Sequence, residues 1–275
     1  MVDIVSCALD CNRGTISLIG DSILDNYYML PNRDQDLRKD LEDLKFSVNN
    51  YAVEDARLNN IRYGVVPGEK YITSRCYPYL LDCDGKMYPL KLLARNSSIF
   101  NTFTPVYETL STDSDMAVFS IGGHDLQDGV TKIVFGADYF FNSVVSPSFI
   151  SEYDFVIEEI KRHTSKIILI SMYLPFLGPG ASYGIFCSLA IPFIKRWRSF
   201  LQEMGKKHNI PILDLSQTVN SYNRDHYGVT DIYPSNITSK CMAECISYIY
   251  DHYDGYHVYF APDCDINKIT TVVDD

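Results

Sequence analysis

The sequence predicts an α/β protein whose central parallel sheet is covered by helices on both faces. Strand candidates alternate with helix candidates along most of the 275 residues, the order that produces parallel sheets with helical crossovers. Residues 116–121 form a nearly continuous apolar run, as expected of a strand buried on both faces. The first apolar run, residues 15–19, ends at Gly20, where the chain can turn tightly at the carboxyl edge of the sheet.

The other elements follow from the spacing of apolar residues. Leu37, Leu41 and Leu44 lie at i, i+4 and i+7 with charged residues between them, which predicts a helix. Residues 46–53 then form a second strand candidate. Further along, the pattern predicts a helix over 149–162, a strand over 166–172, a helix over 185–207 and a strand over 210–215. Pro192 should kink the helix over 185–207 or mark the start of a new one. A last helix is capped by Ser235 or Asn236, and its apolar face consists of Ile237, Cys241, Cys245 and Ile249.

Two regions depart from this alternation. Residues 62–95 are rich in tyrosine and proline, and the pair Asp84-Gly85 between two short apolar runs predicts a β-hairpin or a lid-like insertion. After residue 254 the chain is acidic and without a period, which predicts an irregular tail. Because there are no repeats and no long low-complexity linker, residues 1–275 are expected to form a single domain.

Composition narrows the function classes. The chain has 24 Lys and Arg against 35 Asp and Glu, a net charge of −11, so a nucleic-acid or anionic-membrane partner is not expected. It has no apolar run of about 18 residues, the length that a membrane span needs. The first residues lack a basic stretch and include Asp3, so a cleaved signal peptide is not expected. A cytoplasmic location is the resulting prediction.

The eight cysteines and the missing glycine-rich loops bear on cofactors. The cysteines include no C-x-x-C pair, so zinc ligation has little support and reduced, mostly buried thiols are expected. The glycine-rich loops that cradle nucleotide phosphates are absent. The sequence therefore predicts neither a metal nor another cofactor.

The residues Gly20-Asp21-Ser22 directly follow the first strand candidate and carry the functional prediction. Open α/β sheets bind ligands at the carboxyl ends of their strands, so a hydroxyl at this position is well placed for chemistry. The backbone amide of the serine can also donate to an oxyanion that develops on a bound substrate.

The chain resembles the SGNH, or GDSL-type, hydrolases, and the resemblance covers roughly residues 15–250. Gly20-Asp21-Ser22, within the longer string of residues 20–26, matches the first motif of the family in sequence and in position. Residues 50–53 fall where the second motif's loop belongs, residues 120–125 (Ser-Ile-Gly-Gly-His-Asp) resemble the third motif, and residues 231–235 (Asp-Ile-Tyr-Pro-Ser) stand where the last motif precedes the final helix. The resemblance implies a flavodoxin-like three-layer sandwich, with Ser22 as the nucleophile of an acyl-ester hydrolase acting on a small-molecule or glycan substrate.

The second and third motifs depart from the family pattern. Where the family has a glycine that supplies an oxyanion amide, the best alignment here offers Asp55, whose backbone amide can still donate. The third motif reads Gly122-Gly123-His124-Asp125 where family members carry Gly-x-Asn-Asp. His124 can donate to an oxyanion as asparagine does, and it can also accept the serine proton. The resemblance thus assigns oxyanion or substrate binding to Asp21, Asp55, Gly122 and Gly123.

The last motif lacks the family's aspartate–histidine pair. If Tyr233-Pro234 aligns with the family's His-Pro, then Tyr233 replaces the general base. Because a serine hydroxyl needs a neighbouring base, an active enzyme requires a substitute. The candidates are His124 and His226, with Asp231 as an orienting carboxylate. Three alternatives stay open: a pseudoenzyme that binds a carbohydrate or protein partner, a nucleophile at Ser182 in Gly-Ala-Ser-Tyr-Gly, and a metal site at His252 and His257.

Overall fold

At the centre of the protein is a mostly parallel seven-stranded sheet. A computed structural model describes residues 12–26, 30, 35–52, 56–63, 79–81, 87–89, 114–129, 136–181, 184–228 and 231–272. The strands of the sheet are β1 (Gly14–Gly20), β2 (Phe46–Asn50), β5 (Met116–Ser120), β6 (Ile167–Ile170), β7 (Ile212–Leu213), β8 (Val258–Phe260) and β9 (Thr270–Val272). They lie in the order β2-β1-β5-β6-β7-β8-β9, and only the last pair is antiparallel. The predicted parallel sheet is confirmed.

Helices cover both faces of this sheet. They are α1 (Leu37–Asp43), α2 (Leu58–Tyr63), α3 (Gly123–Gly129), α4 (Ala137–Val144), α5 (Pro147–Lys161), α6 (Gly184–His208), α7 (Leu215–Thr218) and α8 (Asn236–Asp251). Successive residues of β5 point to opposite faces. Phe119 belongs to the core cluster that contains Trp197 of α6, whereas Val118 belongs to the cluster that contains Ile246 of α8. Two buried layers on one sheet make the three-layer α/β sandwich that was predicted.

The helix predictions hold with two adjustments. Ser235 caps α8, because its hydroxyl accepts a hydrogen bond from the Thr238 amide at 3.3 Å. The apolar face of α8 is buried at Cys241, Cys245 and Ile249, but Ile237 in the first turn is 52% exposed, so the core does not reach that turn. Helix α6 runs through Pro192 as one element, so no new helix starts there.

The chain after residue 254 is not irregular, which corrects the sequence-based expectation. Strand β8 pairs with β7 at Ile212 and Val258, and β9 then pairs antiparallel with β8. Val258 and Tyr259 are buried in the two core clusters. These strands are three residues each, too short to show a recognisable alternation in the sequence.

The hairpin expected within residues 62–95 is present in the part of that region that the structure describes. Residues Tyr79–Leu81 (β3) pair antiparallel with Met87–Pro89 (β4), with Leu80 opposite Tyr88. The Asp84-Gly85 turn lies outside the described residues. Whether the hairpin acts as a lid stays a prediction.

The order of the strands fixes where a ligand can bind. From β1 the chain first adds β2 on one side, and later adds β5 on the other side of β1. This reversal opens a crevice at the carboxyl ends of β1 and β5, the usual binding position in open α/β sheets. Gly20 ends β1 with a φ of +151°, and a Cβ atom there would lie 1.8 Å from the Ser120 carbonyl oxygen. The two strands can therefore approach this closely only with glycine at position 20.

Candidate active site

Ser22 lies in a tight turn directly after β1. The amides of Leu24 and Asp25 both donate to the Asp21 carbonyl at 3.0 Å, which closes the turn. Ser22 is buried, with 7% of its surface exposed. Within the described residues, neither the backbone amide nor the hydroxyl of Ser22 takes part in a hydrogen bond. An acyl-transfer serine uses its hydroxyl as the nucleophile and its amide as an oxyanion donor. In Ser22, neither group is bonded to another of the described residues.

The loop that carries the third motif follows β5, the strand beside β1. Gly122 has a φ of +121°, and a Cβ atom there would lie 2.3 Å from the indole ring of Trp197. The loop is thus packed directly on the core, and only glycine fits. His124 follows as the second residue of α3 and is partly buried. The neighbouring strands place Ser22 and His124 at the same edge of the sheet.

The carboxylate of Asp21 joins the two loops. It accepts hydrogen bonds from the amide of Ile23, at 3.1 Å, and from the amide of Gly123. Burial raises the pKa of Asp21, and the nearby charge of His124, together with these amides, opposes that rise. Asp21 is 2% exposed and accepts a hydrogen bond from the Gly123 amide. The predicted role of these two residues in oxyanion or substrate binding stays a prediction.

Asp125 ties the same loop to the region of the second motif. Its Oδ2 atom accepts a hydrogen bond from the Leu58 amide at 3.1 Å, at the start of α2. Burial raises the pKa of Asp125 to about 6, against the Leu58 hydrogen bond and the charges of Arg57 and His124. Asp55, the expected source of an oxyanion amide, lies outside the described residues.

His226 is enclosed by the loop that precedes α8. It is 2% exposed, and its Nδ1 atom accepts a hydrogen bond from the Asn220 amide at 3.0 Å. Its carbonyl oxygen accepts from the Ser235 amide at 3.0 Å and from the Thr238 hydroxyl at 2.7 Å. Burial lowers the pKa of His226, which favours the neutral ring. In that ring the lone pair belongs to Nδ1 and is already used by Asn220.

Asp231 forms an ion pair within the same loop. Its Oδ1 atom lies 2.5 Å from Nη1 of Arg224, and its carbonyl accepts a hydrogen bond from the Phe176 amide at 2.8 Å. Tyr233, which stands at the family's histidine position, accepts a hydrogen bond from the Gly228 amide at 2.8 Å through its carbonyl. The charge of Asp231 is therefore balanced by an arginine.

Two tyrosines that the sequence analysis missed fasten this loop to the end of β6. The Tyr173 hydroxyl donates to the Ile232 carbonyl, and the Tyr227 hydroxyl donates to the Leu174 carbonyl, each at 2.6 Å. The hydrogen bonds run in opposite directions between the same two segments, and we call this pair the tyrosine latch. No spacing rule links Tyr173 to Tyr227, because their contact depends on how two loops fold against each other.

The described residues give little support to the two alternative sites, a nucleophile at Ser182 and a metal site at His252 and His257. Strand β6 ends at Ile170 and an extended loop follows, so no sharp strand-to-helix turn leads to Ser182, which itself lies outside the described residues. His252 is exposed and stacks on Tyr248, and His257 pairs with Asp254 at 2.9 Å. Among the described residues, no group of three histidines, cysteines or acidic residues is placed to hold a metal ion.

The mostly parallel seven-stranded sheet with helices on both faces has an SGNH-hydrolase-like fold. The resemblance seen in the motifs is thereby confirmed for the fold. No protein-family model and no curated protein matches the sequence.

Solved structures of lipases and esterases share this fold at low sequence identity. An extracellular lipase from Streptomyces rimosus matches with a TM-score of 0.50 and 9% identity, over 82% of this chain and 94% of its own. A lipase from a goat rumen metagenome matches with a TM-score of 0.52 and 14% identity, over 86% and 96% of the two chains. A family two carbohydrate esterase from Clostridium thermocellum, solved with cellohexaose, matches with a TM-score of 0.50 and 19% identity, over 88% and 65%.

None of the described helices combines the length and the apolar character needed to cross a membrane.

Proposed function

We propose that the protein is a serine-dependent ester hydrolase with Ser22 as its nucleophile. The observation that carries the proposal is the meeting of two loops at the crevice beside β1: one bears Ser22, the other bears His124, and the Asp21 carboxylate joins them. An SGNH-hydrolase-like fold that presents a serine at this position is suited to acyl transfer.

His124 is the residue best suited to take the serine proton. The lone pair of the other candidate, His226, is used by the Asn220 amide, whereas His124 is only partly buried and lies on the loop beside Ser22. Catalytic hydrogen bonds are often long in unliganded enzymes and tighten when substrate binds. We therefore assign His124 as the general base and leave His226 to support the loop.

The reaction follows from these roles. As the Ser22 oxygen bonds to the ester carbonyl carbon, its proton moves to His124, which then gives it to the departing alcohol. The Ser22 amide donates to the oxyanion. In the second half, His124 takes a proton from water, hydroxide attacks the acyl-enzyme, and the proton returns to the Ser22 oxygen as the acid leaves.

The substrate class is an acyl ester on a small molecule or a glycan. The fold is shared with lipases and with a carbohydrate esterase solved with an oligosaccharide, and such enzymes differ in their pockets rather than in their chemistry.

The experiment measures hydrolysis of p-nitrophenyl acetate and labelling by a fluorophosphonate in the wild type and in Ser22→Ala. We expect both to be lost in Ser22→Ala, with a fall in turnover of about 10³-fold or more. Ser199→Ala, which removes an exposed serine of α6, is the matched control and should behave as the wild type.

Two results would overturn the proposal. Equal labelling of the wild type and Ser22→Ala would place the nucleophile elsewhere. A wild type that neither hydrolyses esters nor reacts with the probe would leave a binding protein on a hydrolase fold. For the base, His124→Ala should lose activity as Ser22→Ala does, whereas His252→Ala, at an exposed site, should keep it.

A further inference from the structure

The family's usual source of the orienting carboxylate is already occupied in this chain. Asp231 lies in the last motif, but its Oδ1 atom is 2.5 Å from the guanidinium of Arg224. Its carbonyl also binds the Phe176 amide, so the residue helps to hold the loop together. An imidazole that gains a proton from a serine still needs a nearby negative charge. That charge has to come from another residue.

Asp125, the next residue after His124, is poorly oriented for this task. Both residues belong to α3, and side chains that are adjacent in a helix point in different directions. The Oδ2 atom of Asp125 also accepts the hydrogen bond from the Leu58 amide. Asp125 therefore faces α2, and the charges of Arg57 and Asp21 act on it more strongly than that of His124 does.

Asp21 lies against the turn from which His124 projects. A Cβ atom built on Gly123 would be 3.3 Å from the Asp21 Oδ2 atom, and the Gly123 amide donates to the same carboxylate. His124 is the next residue, and its charge acts on Asp21 more strongly than any other charged group does. Asp21 is 2% exposed, so this interaction is little screened by solvent.

We propose that Asp21 is the positioning carboxylate of this site, holding His124 and balancing the charge that its ring gains with the Ser22 proton. This inference rests on the proposed function. Burial raises the pKa of Asp21, and the charge of His124 opposes that rise and favours the ionised form. In the proposed role Asp21 exchanges no proton with His124, and the amides of Ile23 and Gly123 keep its carboxylate in place. The carboxylate and the nucleophile would then come from adjacent residues of one motif, and the last motif would supply neither.

The other titratable groups around Asp21 and His124 do not replace the negative charge of the Asp21 carboxylate. Asp125 is the second carboxylate, and Arg57 partly offsets it. Burial raises the pKa values of Tyr153 and Tyr173, and the charge of Asp21 raises them further, so both hydroxyls stay neutral beside it. The two tyrosines therefore supply no negative charge to His124 at neutral pH.

The test is an NMR titration of the histidine ring protons, with His124 assigned from the spectrum of His124→Ala. In Asp21→Asn the side chain keeps its size and loses its charge, and its single carbonyl oxygen can still accept one of the two amide hydrogen bonds. We expect the pKa of His124 to fall by about one unit or more in this variant, as for loss of an opposite charge at close range. Asp43→Asn, at an exposed carboxylate of α1, is the matched control and should leave that pKa unchanged.

An unchanged His124 pKa in Asp21→Asn, or a fall in Asp231→Asn instead, would overturn the inference. If Asp21→Asn does not fold, the wild type decides: a His124 pKa below the ordinary value of about 6.5 contradicts the pairing, and a higher one supports it. In the active enzyme, Asp21→Asn should also move the acidic limb of kcat/KM to lower pH by the same amount and lower kcat at least tenfold.

The outcomes separate this inference from the proposed function. If the wild type shows no Ser22-dependent activity but the His124 pKa falls in Asp21→Asn, the hydrolase proposal fails and the charge pairing stands. If the wild type hydrolyses esters through Ser22 and the His124 pKa does not move, the enzyme stands and Asp21 is not its positioning carboxylate.

Discussion

Gly122 shows how a single residue fixes the distance between the core and the candidate active site. Its missing side chain lets the loop that carries His124 lie directly on the Trp197 indole ring. His124 follows only two residues later. The contact between Gly122 and Trp197 therefore constrains where the backbone of His124 lies relative to the sheet. The carboxyls of Asp21 and Asp125 are held by backbone amides, including those of Gly123 and Leu58 from neighbouring loops.

We expect Gly122→Ala to destabilise the protein by about 3 kcal/mol or more in urea unfolding, because it adds a clash with Trp197 to backbone strain. Gly136→Ala is a matched control: Gly136 also has a positive φ, +104°, but nothing lies within 4 Å of the position of its Cβ. It should cost only the strain, about 1–2 kcal/mol. Equal losses in the two variants would show that the Trp197 contact does not constrain the loop.

Asp125 should make the stability of the protein depend on pH. Its pKa is about 6 in the folded protein and near 4 when unfolded, so the folded state binds more protons between these values. The contribution of this residue to the free energy of unfolding therefore falls as pH rises from about 4 through 6. Asp125→Asn removes the titration and should gain about 1–3 kcal/mol on the wild type between pH 4.5 and pH 7.5. Urea unfolding at both pH values measures this, and a constant difference would contradict it.

At the scale of elements, loops at the carboxyl edge of the sheet are fastened to one another as well as to the strands beneath them. The tyrosine latch joins the segment after β6 to the loop before α8, and Arg224 and Asp231 close that loop on itself. The family's catalytic pair would stand in this loop. In this chain Arg224, Asp231 and the two tyrosines hold the loop together, and the proposed base and carboxylate lie in the first and third motifs instead.

We expect Tyr173→Phe and Tyr227→Phe each to cost about 1 kcal/mol in the free energy of unfolding, since each leaves a carbonyl without its donor. Because both hydrogen bonds join the same two segments, the double variant should not equal the sum of the single ones. Tyr222→Phe removes a hydroxyl from a side chain that is 68% exposed and should change stability by less than about 0.5 kcal/mol. Strict additivity would show that the two hydrogen bonds act independently.

The sequence predicts elements well where they are long and poorly where they are short. The strand over 116–121 and the helix over 149–162 were recognisable because several apolar residues repeat within each. Strands β8 and β9 have three residues apiece and leave no such pattern. At the site, Ser22 and His124 were predictable from their place after strands, but the Arg224 partner of Asp231 was not, because it depends on the fold of an irregular loop.

At the scale of the whole molecule, the last residues complete the sheet. Strand β8 covers the edge of β7, and Val258, Tyr259 and Ala261 are buried. An irregular tail could be removed with little effect, whereas this segment contributes to the cores on both faces of the sheet.

Truncation after Asp254 should therefore abolish the cooperative unfolding transition and lower soluble yield, because it exposes the edge of β7 together with buried side chains. Truncation after Val272 removes only the last three residues and is the control, which should melt as the full chain does. The measurement is thermal unfolding followed by circular dichroism. A cooperative transition after the longer truncation would show that β8 and β9 are dispensable.

The pairing of β1 with β5 has a consequence for how the protein matures and diverges. The Thr15 amide donates to a side chain of Asp115, 100 positions further along, so this contact forms only after a very large loop has closed. Contacts of that kind slow folding, and Ser22 and His124 meet no earlier than this closure. Yet the free-energy cost of closing a long loop rises by only about 0.6 kcal/mol when its length doubles. Insertions between β2 and β5 should therefore be tolerated during evolution, because they cost little stability and leave the pairing of β1 with β5 in place.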